Sequence, residues 1–176
     1  MSVHNSKDVH MYHSQPIINV NSVSLDYEVE NFADAVLRST ELLVLGGYAN
    51  ENYAQRVYDT AVKELQYGVL TDNSVLLHDR PSADALHTGL SLLRVKEPIE
   101  LPGKSENNVR LFISISATNT ARHLMAIASI ANVLANYHLA QQLLTASDSN
   151  AIVKALLEYH KTNCVFICGN DRLVGN

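Results

Sequence analysis

The chain has 176 residues, 47% of them hydrophobic and 18% charged, which fits one globular domain that buries a full core without disulfides or metals. Its formal net charge is -5 and it carries no run of basic residues, which argues against a nucleic-acid partner, since phosphate backbones are held by clustered Lys and Arg. No stretch approaches the ~20 apolar residues needed to cross a bilayer, and the polar N-terminus lacks the apolar centre of a signal peptide, so a cytoplasmic protein without direct membrane insertion is expected.

Residues 1–20 read as a polar tail, and His4, His10 and His13 within it read as tail residues rather than a metal tract. Over residues 31–45, Phe32, Ala35, Val36, Leu42 and Leu43 recur at helical spacing. Gly46-Gly47 ends that helix, because glycine enters the left-handed region at low cost. Asn50 caps a second helix over about 51–64, with Tyr53, Val57 and Val62 inward.

The middle of the chain changes to strands. Ser74-Val75-Leu76-Leu77-His78 is short and apolar, and residues 87–94 form a second candidate with Leu90, Leu92 and Leu93. Pro98 and Pro102-Gly103 punctuate the next stretch, and residues 109–116 show the β-branched enrichment of a sheet strand. The last third is helical. Leu124, Ile127, Ala128, Ala131, Leu134 and Ala135 make one apolar face, with a break near Tyr137, a continuation through Leu139, Leu143 and Leu144, and a final helix over about 148–160. His138 and His160 fall at helix boundaries, where capping or solvent contact is the default. Cys164 and Cys168, in a short apolar segment that could add a strand, read as free thiols in a reducing compartment. Helices, then central strands, then helices predict an α/β layered domain over 21–160, with a C-terminal extension over 161–176.

Four local patterns stand out in this order: Gly46-Gly47-Tyr48 followed by Tyr53, the strand ending at His78, the run from Thr88 to Lys96-Glu97-Pro98-Ile99, and the strand to Ser116 followed by Ala117-Thr118-Asn119 and Arg122-His123-Leu124. Together they resemble the sugar phosphotransferase-system enzyme IIA domains of the mannitol/fructose type, and their nitrogen-regulatory relatives. The resemblance spans about residues 21–160. It implies a mixed β-sheet sandwiched between helices. It also implies a phosphoenolpyruvate-dependent phosphotransferase that needs no cofactor or metal. Its partners would be a histidine-phosphorylated carrier protein as donor and a sugar-transporter IIB domain as recipient.

Matched residue by residue, the resemblance makes His78 the phosphoryl acceptor and His123 its assistant. Imidazole suits the role, because near neutral pH one ring nitrogen offers a lone pair while the other holds a proton. His123 opens a predicted helix, where backbone N–H groups favour an anion, so Asn119, Thr120 and Arg122 are expected to help hold the phosphoryl group. Asp79 and Asp84 are candidates to orient the His78 ring, and His87 is a further possible neighbour. The sequence departs from the family twice. Leu77 stands where the family has proline, and the place of the family's second-helix arginine, between Thr60 and Val62, holds no basic residue. Arg56, Lys63, Arg80 and Arg122 are the candidates to stand in. The departures also motivate an alternative, a degenerate regulatory or protein-binding module with weak or no transfer. A hydrolase is disfavoured, because no G-x-S-x-G elbow occurs.

Overall fold

The computed structural model describes residues 15–163. A five-stranded mixed sheet forms the middle layer, in the order β1-β4-β5-β3-β2. The strands are β1 (Val23–Tyr27), β2 (Gly68–Thr71), β3 (Ser74–His78), β4 (Gly89–Leu101) and β5 (Lys104–Ser116). β1 runs parallel to β4 and β3 parallel to β5, while the β4–β5 and β2–β3 pairs are antiparallel. Helices α1 (Phe32–Leu45) and α2 (Glu51–Val62) cover one face, and α3 (Thr120–Ala135), α4 (Tyr137–Thr145) and α5 (Ser149–Asn163) the other. The expected α/β sandwich is therefore present.

Alternation along the strands divides the core in two. Val75 and Leu77 of β3 and Phe112 of β5 point toward α1 and α2. Leu76 of β3 and Leu111, Ile113 and Ile115 of β5 point toward α3 to α5. Strands buried on both faces read as continuous apolar runs, which is why β3 is recognisable in the sequence.

Asparagine starts helices α1 to α4. Asn31, Asn50, Asn119 and Asn136 each accept a backbone N–H with the side chain, from Asp34, Tyr53, Arg122 and Leu139. Asn136 both closes α3 and opens α4, which accounts for the break expected near Tyr137. Helix α1 ends at Gly46, and Gly47 follows with φ +80, as the glycine pair predicts.

Several boundaries move. β4 continues through Pro98, because the β4–β5 register shifts between Arg94 and Ile99 and a bulge needs no donor from proline. Pro102-Gly103 does make the turn into β5, with Gly103 at φ +74. β1 and β2 are short outer strands without a clear signature in the sequence. The core also begins before residue 21. Ile18 is fully buried, and the Ile17 carbonyl accepts the Leu90 N–H at 2.8 Å. His160 lies buried in α5, beside Ser129 of α3, rather than at a solvated helix end. The segment from Cys164 to Cys168 and the N-terminal histidines lie outside the described residues.

Candidate functional site

His78 is the last residue of β3, and its Cα pairs with Ile115 near the end of β5. A residue at the end of a strand leaves the sheet with its side chain at the rim, here half-buried. From the other face, α3 begins at Thr120, and its first turn carries His123 to the same rim. The two imidazoles meet, with His78 Nδ1 and His123 Nε2 3.1 Å apart. Their ring centroids are 4.8 Å apart and the rings meet edge to face, so this is one nitrogen-to-nitrogen hydrogen bond rather than stacking.

Together they open onto a cleft of about 900 Å³. Arg56, Asp59, Thr60 and Glu64 of α2 and its C-terminal end line it, with Gln66, Tyr67, Gly68, Asp79 and Arg80. Burial lowers the pKa of both histidines below the ordinary imidazole value. The neighbouring His123 adds to the shift at His78, while Asp79 opposes it at both rings. Both rings are therefore neutral at pH 7, and one N–H is shared between them.

The loop after His78 is held to α2. Arg56 Nε donates to Asp79 Oδ2 at 2.9 Å, Nη1 to Asp84 Oδ2 at 2.7 Å, and Nη2 to Ser82 Oγ. Asn50 donates to the Asp84 carboxylate at 2.8 Å. Tyr53, buried under the cleft, directs its hydroxyl at the Ile115 carbonyl, 2.9 Å away, and the Asp79 carbonyl, 3.2 Å away. Burial pushes this phenol up to about 12, so it remains a donor at working pH.

Measured against the expected site, the structure joins His78 to His123, keeps Asp79, Arg56 and Arg80 on the same cleft, and leaves the other candidates outside it. Asp79 and Asp84 hold Arg56 and not an imidazole nitrogen. Asn119 is spent as the cap of α3, accepting the Arg122 N–H at 2.9 Å, and Thr120 is the exposed first residue of that helix. Neither they nor Arg122 lie among the residues that line the cleft. Lys63 pairs with Asp59 at 2.8 Å and stays outside it, as does the exposed His87. The Arg56 network has no signal in the sequence, because its partners lie 23 to 28 residues away in the chain.

Residues 16–159 match the family described as phosphoenolpyruvate-dependent sugar phosphotransferase system, EIIA 2. The chain belongs to this enzyme IIA family. The mannitol-specific cryptic phosphotransferase enzyme IIA component of Escherichia coli (strain K12) is 30% identical over 132 residues, covering 75% of this chain and 89% of the relative. The ascorbate-specific EIIA component of Salmonella typhi is 26% identical over 132 residues, covering 73% and 86%. Among solved structures, the mannitol-specific cryptic enzyme IIA from Escherichia coli matches with a TM-score of 0.68 at 26% identity, over 81% of this chain and 96% of that one. The mannitol enzyme IIA of Escherichia coli, in a complex with phosphorylated enzyme IIB, shares the fold with a TM-score of 0.68 at 22% identity, over 80% and 96%. Within this enzyme IIA frame the paired histidines sit at the mouth of the cleft. No helix among the described residues is long and apolar enough to cross a membrane.

Proposed function

We propose that this enzyme IIA carries a phosphoryl group on His78, taken from a histidine-phosphorylated carrier protein and passed to a IIB component. The observation that carries the reading is the 3.1 Å contact between His78 Nδ1 and His123 Nε2 at the mouth of an open cleft. Nδ1 is committed to His123, so Nε2 is the nitrogen left to react. If Nδ1 holds the proton and donates it to His123 Nε2, the Nε2 of His78 bears the lone pair that attacks.

In the transfer, that lone pair forms a bond to phosphorus. The donor's N–P bond breaks, and its electron pair returns to the donor ring, which leaves as a neutral imidazole. The phosphorylated His78 ring becomes cationic while it keeps its Nδ1 proton, so no net proton exchange is needed. A neutral His123 accepting that N–H stabilises the cationic ring, whereas a protonated His123 would repel it. The lowered pKa of His123 fits this role. The relatives are named for two substrates, mannitol and ascorbate, so the proposal is a carrier of this system with the sugar selected by another component.

Incubation with phosphoenolpyruvate and the two general phosphotransfer proteins, followed by mass spectrometry, is expected to place one acid-labile phosphate on His78. His78→Ala is expected to abolish it. His123→Ala is expected to slow loading about tenfold or more. His123→Gln, whose amide oxygen can still accept from Nδ1–H, should retain more than the alanine variant. Labelling of His78→Ala equal to that of the wild type would overturn the assignment.

A second reading, a regulatory or protein-binding module that has lost transfer, draws support from Leu77 and from the absence of a basic residue over 60–62, where the family places an arginine and where Thr60 lines the cleft. It predicts partner binding without phosphate uptake in the same assay.

A further inference from the structure

Two guanidinium groups border the cleft, and they are in different electrical states. Arg56 sits on α2 one turn before Thr60. All three of its nitrogens are engaged, by Asp79, Asp84 and Ser82, and two of those partners are carboxylates. One cation between two anions is a cluster of net negative charge. If Arg56 swung toward a phosphoryl dianion, it would strand two carboxylates beside it. Arg80 is different. It lies two residues beyond His78, lines the same cleft, is exposed, and pairs with no carboxylate among the described residues. Lys63 and Arg122, the other candidates, do not line the cleft.

The backbone that carries Arg80 is fixed on both sides. Upstream, His78 is locked in the β3–β5 register, and the Asp79 carbonyl faces the Tyr53 hydroxyl. Downstream, Arg56 holds Ser82 and Asp84, the Asn50 N–H donates to the Asp84 carbonyl at 3.0 Å, and Ala49 bridges Ala85. Pro81 further restricts Arg80 itself to extended conformations. A fixed backbone confines the ordering cost of meeting an anion to the side chain itself, and a guanidinium offers paired donors that match phosphoryl oxygens.

We propose that Arg80 is the cation that contacts the phosphoryl group on His78, and that Arg56 is a positioning residue that holds the loop from which Arg80 reaches. The inference rests on His78 as the acceptor. It places the charge that the family puts on the second helix onto the loop that follows the acceptor strand.

The test uses the full chain with potassium phosphoramidate as a small donor. The donor's P–N bond breaks with its electron pair staying on nitrogen, ammonia leaves, and the phosphoryl group passes to the ring nitrogen. Mass spectrometry first maps the label, because a label absent from His78 removes the parent reading independently of Arg80. The phosphorylated wild type, Arg80→Ala, Arg80→Lys, Arg56→Ala and the double alanine variant are then titrated by phosphorus NMR.

Loss of Arg80 is expected to raise the pKa of the phosphoryl group's last proton and to slow loading about 100-fold. Arg80→Lys is expected to restore part of the shift. Arg56→Ala should change the titration only while Arg80 is present, so the double variant matches Arg80→Ala alone. The proposal is overturned if Arg80→Ala titrates as the wild type. It is equally overturned if Arg56→Ala shifts the phosphoryl titration as much in the Arg80→Ala background as in the wild type.

Discussion

Tyr53 is seated between the chemistry and the core. Its ring projects from α2 into the core beneath the sheet, while its hydroxyl spans the ends of β5 and β3 at Ile115 and Asp79. Ile115 is the register partner of His78, so the phenol ties down the backbone on which the reactive ring turns. Tyr53→Phe keeps the packing and removes only that tie. It is expected to cost about 1 kcal/mol in thermal or denaturant melts and to slow phosphate loading several-fold. A variant that melts lower yet loads at the wild-type rate would show that the tie serves the fold alone. The residues visible from the sequence are those with a local signature. His78 closes an apolar strand, His123 opens a helix, and the family resemblance supplies their pairing. Arg56, Ser82 and Asp84 have no such signature, since nothing local tells that a helix and a distant loop share one guanidinium.

At the level of elements, the joint between β1, β4 and α4 is built on a buried charge. Arg94 of β4 is 3% exposed. It donates to Asp26 of β1 through Nε at 2.9 Å and Nη2 at 2.8 Å, and to the carbonyls of Leu143 and Ala146. Arg94, by this hydrogen bond above all, holds the Asp26 carboxyl below its usual pKa. Asp26 itself sits at φ +51, where asparagine is also at ease. Asp26→Asn therefore removes charge with little backbone cost and leaves Arg94 buried without its counter-ion. It is expected to destabilise the fold by about 2 kcal/mol, less than for a fully buried pair because the carboxylate is half exposed. Urea denaturation of both proteins at pH 7 measures it.

This joint also shows why β1 is hard to see in the sequence. Val23-Ser24-Leu25-Asp26-Tyr27 is short and ends in a kink, so its strand character comes from pairing with β4 rather than from its own pattern. The central strands β3 and β5 need no such help, because both faces of each are apolar. β4 is legible as far as Arg94. Beyond it the bulge admits a proline that, read locally, signals a stop.

For the whole molecule, histidine burial sets the acid limit. Burial pushes His160 down to about 4, and it lowers His78 and His123 as well. In each case the unfolded chain binds a proton at a higher pH than the folded one. The unfolded state therefore gains protons first as pH falls below about 6.5, and stability declines from there until the folded-state pKa is passed. Above about 6.5 these groups contribute no slope. Urea melts between about pH 7.5 and 4 are expected to show a plateau and then a fall, and His160→Gln is expected to lessen the fall.

The N-terminal segment just ahead of the first strand also decides where the polypeptide can be cut. The Gly46 carbonyl accepts from the side chains of both Gln15 and Asn19, and the Tyr48 hydroxyl donates to the Pro16 carbonyl at 2.6 Å. The Tyr48 ring in turn lies flush against Gly89, where β4 begins. A truncated version starting at residue 21 would strip the end of α1 of these donors and open the phenol's enclosure to water. It would also remove the Ile17 carbonyl that receives the Leu90 amide. The smallest fragment worth expressing therefore starts no later than Gln15, although the family resemblance taken alone places the first residue of the domain near 21.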